Sequence, residues 1–566
     1  MIVTTLLLFV GMGLMLWWGE PLGPMESGDH GGYRERTPAP PTNAWAPADL
    51  SLDDPVTWAH MLPHGLPMQQ QLGESAYGAT YPLGLRPSNM PFDGTSAEIE
   101  RMRDAGVDGV QIMQFEGVNK GGDFVSEWLP KADSNVSPAD GRRFVVAPCM
   151  RATTIEGAVT MIRQYVVAAE GHVSAARVRG RLLVFIYATR TMSPDDWIQV
   201  KTRLATAGLS IYLMGDVDAA ISQNANRLKR SIVAPYFPAF DGSWIFDDST
   251  LRAWTDILTI SAHRDFAIGI MPGYDRRTPN GGYVDPEATK HYRAQWQASL
   301  ESGLKWVILN TWNDVVERTH VRASSDWSFT RQDITAFYSR KLRGLAPSGG
   351  AELYISTPAE VRKGEAVRAE ALVLNNSARP VQVGGEFLDQ DGTVIGRLAV
   401  VTVAPGDSGA AAGLSAEAVD SPGLQFIRLH AYSAYDNGDK IQEGISAPMV
   451  IRPPGPAGRV SYYSIAARKA LPEAFAPTVT IHRVGGQDVV RASSTLGREA
   501  AAIELIQNSQ KSTLALKRPT VTAPTRSSPT EIAGGEIVPG QKSGYVVARF
   551  IDNADRVAYS DPMRIP

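Results

Sequence analysis

One cysteine, Cys149, stands in 566 residues, so no intrachain disulfide forms and no cysteine-based zinc site can be built. Histidine is scarce as well. The nine present are scattered, with no H-E-x-x-H or similar spacing, which gives no reason to expect a metal. No G-x-G-x-x-G or phosphate loop opens a helical stretch, and no cofactor is implied. A Ser-His-Asp order with a nucleophile elbow is also missing, which argues against a peptidase or lipid esterase. Basic excess is absent too: the net charge is −4, and a nucleic-acid partner would need clustered Lys and Arg to neutralise phosphates.

Long apolar runs are rare, and the longest is at the start. Ile2 to Gly19 carries no charge and lies between a signal-peptide core and a short membrane helix in length. Residues 1–22 are therefore expected to be a signal peptide or membrane anchor, and the protein to be exported (periplasmic, extracellular or tethered to a membrane). Residues 23–50 are rich in Pro, Gly and charge and read as a linker that buries no core.

From 51 to 345, apolar strand-like runs alternate with amphipathic helical stretches. The strands are expected at Trp58–Met61, Gly109–Gln114, Phe144–Cys149, Leu182–Tyr187, Ser210–Gly215, Ile232–Phe237, Phe266–Met271 and Trp306–Thr311. The helical stretch Thr153–Gly171 opens on a Thr suited to an N-cap and ends on a C′ Gly. Eight continuous apolar strands separated by helices predict a parallel (β/α)₈ TIM barrel, with a doubly wound sheet as the alternative. Beyond a linker at 346–350 the periodicity changes to two. Alternating runs between turn signals such as DQDG and DNGD predict two C-terminal all-β sandwich domains of immunoglobulin-like kind, at 351–452 and 459–566, with PPGPAG as the hinge.

A barrel of this kind carries its site where the strands end. The polar residues there are His60 and His64, Gln114 and Glu116, Tyr187, Asp216 and Asp218, Asp241 and Trp244, Tyr274, Asp275 and Arg276, then Asn313, Asp314 and Glu317. Carboxylates and aromatics dominate, with no Lys placed for a Schiff base. That inventory suits glycoside hydrolysis, in which one carboxyl protonates the leaving oxygen while another activates water or stabilises the oxocarbenium ion. Asp314 and Glu317, three residues apart at the exit of the eighth strand, are the expected catalytic pair. Trp244, Tyr274 and Trp312 offer faces on which sugar rings stack, although either Trp equally suits a buried core position.

Six segments occur in a telling order: AGVDGVQIMQ, FVVAPCM, RGRLLVFIYA, FDGSWIF, IMPGYDRR and LNTWNDVVE. Together they resemble glycoside hydrolase family 71, the α-1,3-glucanases (mutanases), and the related family 99-like endo-α-mannosidases, over roughly residues 55–345. The resemblance implies a TIM barrel, no cofactor, and a carboxylate pair on the last strand. Asp314 and Glu317 fall on that pair. Asp241 and Trp244 fall on the Asp-Gly…Trp segment of family 71, and Tyr274 and Asp275 on the Pro-Gly-Tyr-Asp segment of family 99. Val315-Val316 and Arg318 depart from the pattern, where Tyr-Gly and a small residue are usual. Family 71 implies inversion and family 99 retention, so the stereochemistry stays open.

The sequence thus leads to an endo-acting O-glycosyl hydrolase acting on an α-linked polysaccharide or oligosaccharide. Glu317 is expected as general acid and Asp314 as base, with the two roles exchangeable. Asp241, Trp244, Tyr274, Asp275, Tyr187, Asn313, Trp312 and His64 are expected to bind substrate. The alternative is a polysaccharide-binding or exopolysaccharide-assembly protein that has lost turnover.

Overall fold

A computed structural model describes residues 49–61, 95–116, 123–136, 141–216, 234–246, 265–275, 282–315, 317–455, 458–470, 478–484, 487–494, 500–507, 530–536, 544–552 and 555–565. The N-terminal apolar run, residues 23–48 of the linker after it and His64 lie outside these residues, while the last two linker residues, Asp49–Leu50, form a short strand paired with Arg177–Val178. Among the described residues, no helix is long and apolar enough to cross a membrane.

Eight parallel strands close on themselves: β1 (Val56–Met61), β2 (Gly109–Phe115), β3 (Val145–Arg151), β4 (Arg181–Ile186), β5 (Ile211–Asp216), β6 (Gly242–Trp244), β7 (Asp265–Ile270) and β8 (Trp306–Leu309). Each pairs with its neighbours in chain order, and β8 pairs back onto β1 through Trp306–Val56 and Leu309–Ala59, which completes the barrel. Alternation sorts their side chains. Trp58, Met113, Cys149, Phe185, Tyr212, Met214, Trp244, Ala267, Trp306 and Ile308 fill the interior. Ala59, Val110, Ile112, Val146, Val184, Leu213, Ile268, Val307 and Leu309 face outward onto the helices. Strands buried on both faces have no polar side to alternate with, which is why they read as unbroken apolar runs.

The expected sixth strand at Ile232–Phe237 is not one over its described residues, 234–237, the first two lying outside them. Ala234–Ala239 forms a 3₁₀ helix, and β6 follows it at Gly242–Trp244. Pro235 and Pro238 offer no N–H to a neighbouring strand, so an interior place in the sheet was closed to this segment.

Local chemistry sets the helix starts. Thr154 caps Ile155–Ala168 by accepting the Gly157 N–H, and Gly171 beyond its end has the expected positive φ of 78°. Ser193 and Asp196 form a capping box around Pro194–Thr206, with Pro194 in its first turn.

Beyond the barrel, one sheet runs Ser408–Leu414, Val367–Asn375, Ala351–Pro358, Tyr462–Ala466. It faces a second sheet built on Glu360–Arg362, Met449–Arg452, Phe426–Tyr435, Val381–Asp389 and Val394–Val403. Two further sheets follow, one of Thr478–Val484, Gln487–Ser494 and Thr530–Glu536, the other of Ala500–Gln507, Gly544–Asp552, Val557–Tyr559 and Met563–Ile565. The fold class is thus a TIM barrel followed by antiparallel β-sheet domains.

The first sandwich shares its core with the barrel. Ala371 and Val373 point into the sandwich interior, while Leu372, Leu374 and Tyr354 on the other face join the barrel's helical layer. Polar contacts reinforce this seam. Glu370 is buried and accepts from Arg293 at 3.0 Å and from the Thr289 hydroxyl. Arg549 of the second module is 1% exposed and donates to Asp326 at 3.0 Å and to the Ser325 carbonyl at 2.8 Å. Ser464 donates its N–H to the Asp326 carbonyl at 2.7 Å.

Two buried histidines give this assembly an acid sensitivity. Burial pushes the pKa of His60 from 6.5 to about 3, and that of His320 likewise, with Arg331 adding to the effect on His320. The unfolded chain takes up protons at these rings below pH 6.5 and the folded chain does not. Their stability is therefore complete above 6.5 and is lost as pH falls toward 3. Between pH 7 and 5 each ring is expected to remove about 2 kcal/mol. His320→Gln, which retains a partner for Ser324, should flatten that loss in urea unfolding at the two pH values.

Candidate functional site

The carboxyl ends of the strands converge on a layered mouth. Its base is aromatic. Trp58 packs edge-on against Phe185 with ring centroids 5.3 Å apart, and Phe185 meets Trp244 at 5.9 Å. Trp244 is fully buried and donates its indole N–H to the Ile186 carbonyl at 3.1 Å. Above it lie His60, Tyr187 and Phe246, with His60–Phe246 at 5.1 Å and Tyr187–Phe246 at 5.0 Å. Burial keeps His60 neutral. Gly269 in β7 makes room here, because a Cβ at that position would strike the Ile245 carbonyl and the Asn310 amide.

Past β8 the chain turns sharply. Thr311 accepts the Asp314 N–H at 2.8 Å, and Asp314 Oδ1 accepts the Glu317 N–H at 2.9 Å. The Asp314 carbonyl accepts the N–H groups of Thr319 and His320. Asp314 is 8% exposed, whereas Glu317 is half-buried. The Glu317 carboxylate accepts the Tyr274 hydroxyl at 2.9 Å, and its carbonyl accepts the Asp275 N–H at 2.9 Å. Tyr274 and Asp275 belong to a short hairpin with Tyr283–Val284 just beyond β7. Asp275 is buried against Arg459 at 3.1 Å and Arg318 at 3.9 Å.

Thus Asp314, Glu317, Tyr274, Asp275 and Asn313 come together at one rim with Tyr187 nearby, while Trp244 is fully buried in the base and offers no face to a substrate. Two expected substrate contacts lie elsewhere. Trp312 turns away from the barrel into the helical layer, is fully buried, and donates its indole N–H to Glu98, itself paired with Arg322 at 3.1 Å. Asp241 precedes β6, at the amino-terminal end of that strand. There it accepts the Leu213 N–H at 3.0 Å and pairs with Arg181 at 2.9 Å and Lys201 at 3.3 Å.

Other strand-end residues have local work. Glu116 accepts from Thr153 and Thr154 at the start of the Ile155–Ala168 helix. Although burial pushes its pKa up, these hydrogen bonds hold it below the usual carboxylate range. Asp216 accepts the Ala188 N–H at 3.0 Å. Cys149 lies inside the barrel, where burial and Asp216 raise its thiol well above the ordinary range, so it makes a poor nucleophile. Among the described residues, no cluster of three His, Cys, Asp or Glu is placed to hold a metal ion. Arg459 is the residue that the sequence did not single out for the site, and His60, although among the strand-end residues, is not among the expected substrate contacts. Arg459 is 184 positions from Asp275, and no local pattern signals that pairing.

No protein-family model matches the sequence, and no curated protein sequence matches it. Among solved structures, the chain is similar to a GH99 endo-alpha-mannosidase from Bacteroides thetaiotaomicron. That match has 17% identity and TM-score 0.39, covering 51% of this chain and 98% of that one. It is also similar to the Parabacteroides merdae beta-glucuronidase, with 9% identity and TM-score 0.40 over 90% of this chain and 61% of that one. A beta-mannanase from Streptomyces thermolilacinus aligns at 14% identity and TM-score 0.30, over 41% and 79%. At these scores the likeness bears on no residue's role.

Asp241 provides a test of placement. Burial raises its pKa, but the Leu213 N–H, Arg181 and Lys201 outweigh that and hold it low. Its stabilisation is present above the unfolded carboxylate range and is lost as pH falls through the depressed folded value. Asp241→Asn is expected to lower Tm by a few degrees at pH 7, roughly what 1 kcal/mol does in a chain of this kind. The gap should close in acid.

Proposed function

We propose that the protein is a glycoside hydrolase acting on an α-linked polysaccharide, with Glu317 as general acid and Asp314 as the base or water-activating partner. The observation that carries this reading is the Tyr274–Glu317 hydrogen bond beside Asp314. A partly buried carboxyl whose orientation is fixed by the Tyr274 hydroxyl at the mouth of the barrel is placed to reach a leaving oxygen. Tyr187 and Phe246, both only partly buried, present apolar faces below it, where the C–H surface of a sugar ring finds favourable contact. The motifs shared with families 71 and 99 point to an α-glucan or α-mannan, and a long open-ended substrate suggests endo action. The apolar run at Ile2–Gly19 supports export, where such polymers are met.

A second reading, a polysaccharide-binding protein without turnover, is favoured by one detail. The Asp314 carboxylate accepts the Glu317 N–H and so serves the turn itself. Asp314→Asn separates the two, because an amide oxygen still accepts that N–H while the negative charge is gone. Reducing-sugar release is to be measured on a panel of α- and β-linked glucans and mannans. Glu317→Gln and Asp314→Asn are each expected to lower kcat by about 10²- to 10⁴-fold, the usual worth of a positioned acid or base. Turnover retained in Asp314→Asn would leave that residue a turn-former. Binding without release by the wild type on every polymer would favour the second reading.

A further inference from the structure

The connection between the strands Met449–Arg452 and Tyr462–Ala466 of the first sandwich reaches back to the barrel mouth. Arg459 and Val460 are consecutive, and they grip the two strands of the same hairpin. Arg459 pairs with the Asp275 carboxylate at 3.1 Å. The Val460 N–H donates to the Tyr283 hydroxyl at 2.9 Å. Asp275 and Tyr283 are cross-strand partners, so the grip spans the hairpin at one level. Arg459 also lies 6.0 Å from the Tyr283 ring centroid. The hairpin in turn holds Glu317 twice, through the Tyr274 hydroxyl on its carboxylate and the Asp275 N–H on its carbonyl. Arg318, the residue after Glu317, approaches Asp275 from the other side at 3.9 Å and has a left-handed φ of 57°.

We infer that Arg459 is a positioning residue for the acid Glu317, so that a residue from the β-sandwich region completes the barrel's site through the Tyr274–Asp275 hairpin. This rests on the hydrolase reading above. Two physical effects follow from the geometry. Arg459 fixes where the hairpin sits, and a small displacement of an acid from its leaving oxygen is costly for rate. It also balances the buried Asp275 charge. Removing it takes a positive partner from the buried Asp275 carboxylate, whose N–H binds the Glu317 carbonyl, and the nearby acid then holds its proton more tightly.

The test uses the full chain and compares Arg459→Ala with Arg459→Lys, alongside the wild type and Glu317→Gln, on a polymer the wild type hydrolyses. Arg459→Ala is expected to lower kcat by about ten- to a hundredfold, with KM within roughly threefold. The basic limb of its kcat/KM profile should move to higher pH. Arg459→Lys, which keeps the charge, should restore the limb and part of kcat. A loss of activity that follows Tm alone, with the limb unmoved in Arg459→Ala, would overturn the inference and leave the hydrolase reading intact. Wild-type kcat in Arg459→Ala would do the same. A wild type silent on all polymers would overturn both.

Discussion

The loop between β8 and the last barrel helix is the element on which the rest is assembled. Thr319 to Ser328 is buried throughout, and it carries His320, Arg322, Ser324, Ser325 and Asp326 into a space with little water. A buried charge is tolerable only when paired and hydrogen-bonded. Arg322 finds Glu98, Asp326 finds Arg549, and Arg331, stacked 3.8 Å above Trp327, donates to the carbonyls of Arg318 and His320. The partners come from a barrel helix, from the second β module and from the helix Thr330–Leu342. The same loop begins with Asp314 and Glu317, so the segment that carries the candidate chemistry is also the one around which the modules close.

The upper barrel follows from that closure. Its interior is filled from below by Trp58, Trp306, Phe185 and Trp244, and rings of this size leave room for polar groups only near the rim. His60 remains neutral because it sits on that aromatic base. The rim is polar and hydrogen-bonded, with Tyr274, Asp275, Asp314 and Glu317 drawn from the ends of β7 and β8.

Much of this was legible in the sequence, for reasons that can be named. Seven strands announced themselves as apolar runs because both of their faces are covered. The sixth was misplaced although its signal was present: two prolines three apart mark a segment that cannot donate inside a sheet. The location of Asp314, Glu317 and Tyr274 at the rim could be read because each lies shortly beyond a strand end, and strand ends define the mouth. Trp312 could not. Trp306 and Ile308 point inward, and strict alternation would send residue 312 inward as well. The strand ends at Leu309, however, and the turn reverses the facing. Asp241 misled for a similar reason, since a strand displaced by a few residues moves its neighbours from one end of the barrel to the other. Arg459 was beyond reach, as its pairing with Asp275 depends on how two distant parts of the chain dock.

The strand Val367–Asn375 has no dry side to spare and no wet side at all over most of its length. Its odd-numbered residues complete one core and its even-numbered residues complete another. A sheet used in this way is a shared wall, and a shared wall cannot be moved to a new house. Gene fusions that recombine sandwich modules as interchangeable beads would here strip apolar surface from both halves. The unit that recombination can carry intact is therefore no smaller than the barrel together with its first sandwich.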